Sequence, residues 1–244
     1  MNYCKKKFVV TDNRFIYEGF QKIVSDRKIE LEFFCSPSSQ KIFESEIRAG
    51  VIRPVRIREI ESDLIANFNL GFSCHSKQIF SEKLVSSVCC INIHPGFNPY
   101  NRGWFPQVFS IINGLPAGAT IHLMDNEIDH GDIICQEQVV IGSGETSLDV
   151  YNRIIRLELR LLEENFDKIL NMSFQAIKPI SEGNYNSKQD FDKLCLIDLN
   201  EHLTFGEAIN KLRALTHEPY ANAYFVDDEK KKYFLKLQIL EEKN

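Results

Sequence analysis

SVCCINIHPG, residues 87–96, is the stretch from which the fold is read. An apolar run leads into Asn92 and His94, and Pro95-Gly96 stops it, because proline removes a donor from the ladder and breaks strand geometry. Side chains two apart on a strand share a face, so Asn92 and His94 point one way while Ile91 and Ile93 point the other. The pair stands at the carboxyl end of a buried strand, where open α/β sheets place their ligands. An amide beside an imidazole suits acyl transfer there: the amide donates to an oxyanion and the imidazole moves a proton near neutral pH. On the residues alone, a strand end bearing two hydrogen-bonded polar side chains is an equal reading.

Outward from this strand, the pattern alternates. Residues 8–10 form a short apolar strand, 13–24 have helical spacing, and 29–34 read as a second strand. Residues 48–58, broken by Gly50 and Pro54 and carrying four arginines, read mostly as loop or short strand. Residues 63–73 pass from helix to strand. Downstream, 98–104 is a polar loop and 106–113 a helix, with Pro106 in its first turn and Gly114 as its stop. Strands at 119–124 and 133–141 flank an acidic loop, and a long helix over 148–170 is capped by Thr146-Ser147. Such alternation predicts an α/β fold: a Rossmann-like, mostly parallel sheet with helices on both faces. No GxGxxG follows the first strand, so dinucleotide binding has no support.

After Pro179 the composition turns polar, which places a boundary between a main domain, 1–180, and a region 181–244. The latter holds a linker and a small appendage: one helix, 205–215, and a β-hairpin of strands 222–226 and 233–240 joined by DDEKKK. A lone hairpin is too small to stand by itself, so it must pack on the main domain or on another subunit.

The 244 residues are 43% hydrophobic and 26% charged, ordinary for a globular chain with a full core. A net charge of −5 argues against nucleic acid as the main partner, since that binding needs a basic face. Seven cysteines without CxxC or zinc-like spacing suggest free thiols in a reducing compartment, and no ligand cluster points to a metal. Neither a secretory leader nor a membrane-length apolar stretch is evident, so a soluble cytoplasmic protein is expected.

The loop DNEIDHGD, residues 125–132, carries four acidic residues in eight. Acidic loops are usually only solvated. Following the Asn-His strand, however, a carboxylate here could orient and charge-stabilise His94, or hold a proton-shuttling water. Local physics does not rank Asp125, Glu127, Asp129 and Asp132. His75, His122 and His130 are rival bases, with His122 read as structural because it sits within a strand.

Three motifs in order, NIHPG (92–96), RGWFP (102–106) and DHGD (129–132), resemble the folate-dependent formyltransferase family. The resemblance implies a catalytic trio of Asn92, His94 and Asp129, choosing Asp129 over its acidic neighbours. Gly96 stands where the family usually has Ser, which removes any role for that hydroxyl. The implied donor is N10-formyltetrahydrofolate, its pterin held by backbone groups of Ser76, Lys77, Gln78, Ile79 and Phe80 and by the acidic loop with Asp125 and Asp129. No metal is implied.

SCHSKQIF (73–80), NPYNRGWFP (98–106) and KLRALTHEPYANAYF (211–225) are similar to bacterial nucleotide-sugar enzymes that formylate dTDP-4-amino-4,6-dideoxyglucose for O-antigen or surface glycan synthesis. By that resemblance Tyr100, Asn101, Arg102 and Trp104 line the sugar-nucleotide side, and Arg102 pairs with diphosphate; turn stabilisation is its equal alternative. Tyr220 or Phe225 would stack on thymine, though each suits a core equally. A homodimer is implied, with nucleotide sugar and folate as partners and no role for nucleic acid or membrane. Other acceptors (a UDP-aminosugar or a ribonucleotide amine), a formyltetrahydrofolate hydrolase, and a non-enzymatic binding module remain as alternatives.

Overall fold

The structure, a computed structural model, describes residues 6–242. Its elements in chain order are β1 (Lys6–Thr11), α1 (Arg14–Asp26), β2 (Glu32–Cys35), a 3-10 turn (Pro37–Ile42), α2 (Glu44–Arg48), β3 (Ile52–Pro54), α3 (Ile57–Asn67) and β4 (Phe68–Cys74). Then follow α4 (Glu82–Ser87), β5 (Cys89–His94), β6 (Arg102–Gly103), α5 (Pro106–Asn113), β7 (Ala117–Leu123), β8 (Ile133–Val139) and α6 (Ser147–Leu170). The remainder is β9 (Tyr185–Asn186), α7 (Lys188–Cys195), α8 (Phe205–Leu215), β10 (Thr216–His217), β11 (Tyr220–Ala221), β12 (Tyr224–Val226) and β13 (Lys232–Phe234).

Seven strands form one sheet in the order β3-β2-β1-β4-β5-β7-β8. The first five run parallel, and β7 pairs with β5 antiparallel. The expected mostly parallel α/β sheet is therefore present. The abundant phenylalanines are its packing material. Phe8, Val10, Phe34, Phe68 and Phe80 form the core on one face, with α3 and α4 supplying Ile57, Leu64 and Leu84. On the other face Phe20 of α1 meets Phe72 of β4 and Phe166 of α6 with ring centroids at 5.2 and 5.8 Å. Edge-to-face rings at such separations add to what burial alone contributes. Asn13 caps α1 by accepting the Ile16 N–H at 3.1 Å. The buried face of α1, Ile16, Tyr17, Phe20, Ile23 and Val24, has the spacing of one helical stripe.

The chain forms two compact units. One takes Met1–His94, Thr120–Gln136 and Leu157–Ile180; the other takes Pro95–Ala119, Glu137–Arg156 and Ser181–Asn244. The position 180/181 is thus one division, but the second unit also draws on two segments from the region assigned above to the main domain.

The arginine-rich 48–58 stretch holds a short strand, β3, as one of its two readings allowed, and also the start of α3. Other local expectations change. The polar stretch after Pro179 holds β9 and the start of α7, so the tail has two helices rather than one. Its signal was a capping box: Ser187 accepts from Asp190, and Asp190 returns a carboxylate to Ser187. Strands β12 and β13 are shorter than the alternating pattern suggested. Cys35, Cys74, Cys89, Cys90, Cys135 and Cys195 are unbridged, whereas Cys4 lies outside the described residues. Among the described residues no helix is long and apolar enough to cross a membrane.

Candidate active site

The first unit brings Asn92, His94 and Asp129 together. Asn92 Nδ2 donates to Asp129 Oδ1 at 2.8 Å, and His94 Nδ1 lies 3.5 Å from Asp129 Oδ2. One carboxylate thus faces both residues of the strand end, as the two-residue periodicity of β5 requires. The His94 distance exceeds a tight N–H···O bond.

His122, read from sequence as structural, belongs to the same cluster. It is the cross-strand partner of Asn92 in the β5–β7 register. Its Nδ1 lies 2.7 Å from the carbonyl of Leu123, its Nε2 3.3 Å from Asn92 Nδ2 and 3.8 Å from Asp129 Oδ1. A carbonyl only accepts, so Nδ1 carries a proton; facing an amide N–H, Nε2 then accepts. Both Asn92 N–H groups are thereby directed, one to Asp129 and one to His122. The missed signal was pairing: His122 follows from β5–β7 register, which composition does not reveal.

Asp129 adopts φ 52°, the left-handed region, where Asp is among the few residues with side chains that settle. Its loop is closed by Gly131. A Cβ there would lie 2.0 Å from the Leu123 carbonyl oxygen, the same carbonyl that receives His122. Leu123 N–H donates to the Asp132 carbonyl at 2.9 Å. The Asp-x-Gly spacing is therefore a backbone requirement: the glycine lets the loop approach β7 closely enough for Asp129 to reach β5.

Asp125 takes a different part. Its Oδ1 accepts the Glu127 N–H at 2.9 Å and its Oδ2 pairs with His130 Nδ1 at 2.9 Å. The structure thus separates the loop carboxylates that local physics left unranked.

Residues 76–80 leave the carboxyl end of β4, the neighbour of β5. Lys77 N–H donates to Asp12, Gln78 N–H to Ser76 Oγ, and the Gln78 amide bridges Ile57 N–H and the Val55 carbonyl. Phe80 is committed to the core. Ile79 is 65% exposed, and no hydrogen bond to another described residue engages its backbone. A backbone edge of this kind fits a heteroaromatic ring that reads donors and acceptors.

The remaining expected residues lie in the second unit. Asn101 is fully buried, and its amide is taken up by Ser110, Asn113, Asn184 and Asn186. Its side chain therefore holds the turn together rather than facing solvent. Arg102 and Gly103 pair with Tyr185 and Asn186 across β6–β9. Arg102 is nearly buried, Tyr100 partly so, and Trp104 is exposed. Tyr220 is exposed beside His217, ring centroids 6.1 Å apart. Phe225 stacks on Tyr233 at 5.2 Å within the β12–β13 hairpin.

The chain is also similar to known proteins. Residues 70–165 match the family described as formyl transferase, and residues 190–241 match the N-formyltransferase dimerization C-terminal domain. A dTDP-4-amino-4,6-dideoxyglucose formyltransferase of Mycobacterium tuberculosis is 47% identical over 187 residues, 77% of this chain and 80% of that protein. A 4-N formyltransferase structure from Francisella tularensis superposes with TM-score 0.94 at 54% identity, covering 97% of this chain and 98% of that one. A sugar N-formyltransferase from Shewanella sp. FDAARGOS_354 gives 0.92 at 36% identity, covering 99% and 100%. With its Asn-x-His-Pro strand end, its Asp-x-Gly loop and these matches, the chain belongs to the family of folate-dependent sugar N-formyltransferases.

Proposed function

We propose that this protein transfers the formyl group of N10-formyltetrahydrofolate to the amine of dTDP-4-amino-4,6-dideoxyglucose, for surface glycan synthesis. The observation that carries the chemistry is Asp129 facing Asn92 at 2.8 Å and His94 at 3.5 Å. The acceptor follows the substrate named for the 47% identical mycobacterial relative.

The donor supplies an activated formyl carbon; the neutral sugar amine attacks it and the carbonyl oxygen gains charge. Collapse of the adduct breaks the bond to N10, which takes up the proton lost by the amine and leaves as tetrahydrofolate. Asn92 donates to that oxyanion. Of its two N–H groups, the one directed at His122 makes the longer contact, 3.3 Å, and is the one released to the substrate. His94 adds a second donor and carries the proton leaving the amine, with Asp129 holding its orientation and stabilising its charged form. His122 keeps the Asn92 amide turned until the formyl oxygen arrives. Residues 76–80, with Asp125 and Asp129, are assigned to the pterin; Tyr100, Arg102, Trp104 and Tyr220 are assigned to the sugar nucleotide.

Residues 1–180 are read as the catalytic domain and 181–244 as the association region of a cytoplasmic homodimer. The match of residues 190–241 to a dimerization domain supports the latter, as does Phe205, 91% exposed within it. The test is incubation with N10-formyltetrahydrofolate and a panel of dTDP- and UDP-linked aminosugars, with the products weighed. Formylation of the dTDP-4-amino sugar in preference to the others is expected. Formyl loss to water alone, or preference for a UDP sugar, would overturn the assignment.

A further inference from the structure

One buried ionisable pair in the first unit plays no part in the reaction described above. Thr11 of β1 is level with Cys74 of β4, and Cys74 is level with Ile93 of β5. Asp12 and His75 directly follow β1 and β4, while His94, the residue after Ile93, closes β5, so the three lie at the ends of adjacent strands about 5 Å apart. His75 therefore emerges next to the strand end that holds His94.

His75 adopts φ 53°, a left-handed conformation with a cost for any residue carrying a Cβ. Its Nε2 lies 2.8 Å from Oε2 of Glu158 on α6. Glu158 is fully buried, and its Oε1 has no hydrogen-bond partner among the described residues. Burial raises the Glu158 pKa, against which the neighbouring His75 acts. A half-satisfied buried carboxylate is a poor stabiliser, and a leucine at that core position would ordinarily serve the helix better. Two residues beyond His75, the Lys77 N–H donates to Asp12 Oδ2 at 2.7 Å, and that same oxygen accepts Ser36 Oγ at 2.6 Å. The turn after β4 is thus tied at both ends, to α6 by a side chain and to β1 by its backbone. Ile79, with its exposed side chain and unengaged backbone, follows directly.

We propose that His75, held by Glu158, is a positioning residue for the formyl donor: it sets the turn that presents the backbone of residues 76–80 beside His94. The proposal rests on the folate reading of that segment. His75 fixes donor affinity and takes no part in the transfer itself.

The full-length protein with His75→Ala, His75→Asn and Glu158→Gln tests this by two readouts. The first is calorimetric affinity for 5-formyltetrahydrofolate, which is unreactive in the transfer; the second is donor KM against kcat. His75→Ala is expected to weaken analogue binding and raise donor KM about tenfold, with kcat at saturating donor kept within about twofold. His75→Asn, which tolerates the left-handed conformation, is expected to recover part of that loss. Glu158→Gln, which keeps volume and a hydrogen bond, is expected to cost about threefold, and no more when added to His75→Ala. Unchanged donor affinity in a folded His75→Ala variant would overturn the proposal, as would a fall in kcat with donor KM unmoved. Should His75→Ala not fold, Glu158→Gln decides alone, and unchanged affinity overturns it. A parent protein that fails to bind the analogue overturns the donor site itself, and the proposal with it. A binding parent with equally binding variants overturns only the proposal.

Discussion

Asn92 and Asp129, thirty-seven positions apart, are joined by one bond, the Asn92 amide donating to Asp129 Oδ1 across 2.8 Å. The same carboxylate turns its other oxygen to His94. One loop carboxylate therefore faces both residues that the proposed mechanism uses as oxyanion donor and proton carrier.

Replacing Asp129 by Asn keeps the left-handed backbone at φ 52° and removes only the charge. We expect kcat/KM to fall by roughly a hundredfold or more, whereas Asp125→Asn, whose carboxylate serves Glu127 and His130, costs no more than about threefold. Steady-state kinetics of the two variants checks this; equal losses would mean the loop acts through bulk charge.

His94→Ala removes the imidazole to which the proposed mechanism gives the proton, at a buried strand end. A loss of roughly 10²–10⁴ in kcat is expected with the fold intact by circular dichroism. Near-normal turnover would remove His94 from the catalytic assignment.

Gly131→Ala tests the loop closure. The added methyl would sit 2.0 Å from the Leu123 carbonyl oxygen, so backbone must move. The expected result is about 1–3 kcal/mol of lost stability in a thermal or denaturant melt, with activity falling further as Asp129 is displaced.

Burial pushes the thiols of Cys35, Cys135 and Cys195 up to about 11, and those of Cys74 and Cys90 further. Thiolate is the reactive form, and a raised pKa keeps it scarce until the pH approaches that value. Brief alkylation near pH 7.5 should leave these five unlabelled in the folded protein and label them after unfolding, as peptide mass mapping will show.

Phe205 lies almost fully in solvent at the start of α8, within the segment matching a dimerization domain. Phe205→Glu should shift the species seen by light scattering toward monomer at micromolar protein while leaving the thermal melt of the sheet core in place. An unchanged mass would exclude this residue from the interface.

Much of the chain could be read from local pattern, for physical reasons. The period of β5 placed Asn92 and His94 on one face, and Pro106 with Gly114 bounded α5, because these effects lie within a few residues. The 48–58 region could be read only as loop or short strand because β3 has three residues, pairing with β2 at an edge, too short a run for alternation to register. Helix α7 hid because its first turn is polar and only Phe191 and Cys195 are buried.

Read alone, the sequence set an amide and an imidazole at a strand end with an acidic loop to follow, and left acyl transfer and a structural strand end as equal readings. Family resemblance chose Asp129 from four carboxylates, and the tertiary structure supplied a physical reason for the choice. Gly131 against Leu123 brings Asp129 to Asn92, while Asp125 turns away to His130. Only tertiary contacts recruited His122 beside Asn92, set Cys74, the residue before His75, level with Ile93, and buried Asn101 in its own polar network. Those relationships join residues far apart along the chain. They depend on register and close backbone approach, quantities that local composition and periodicity do not carry.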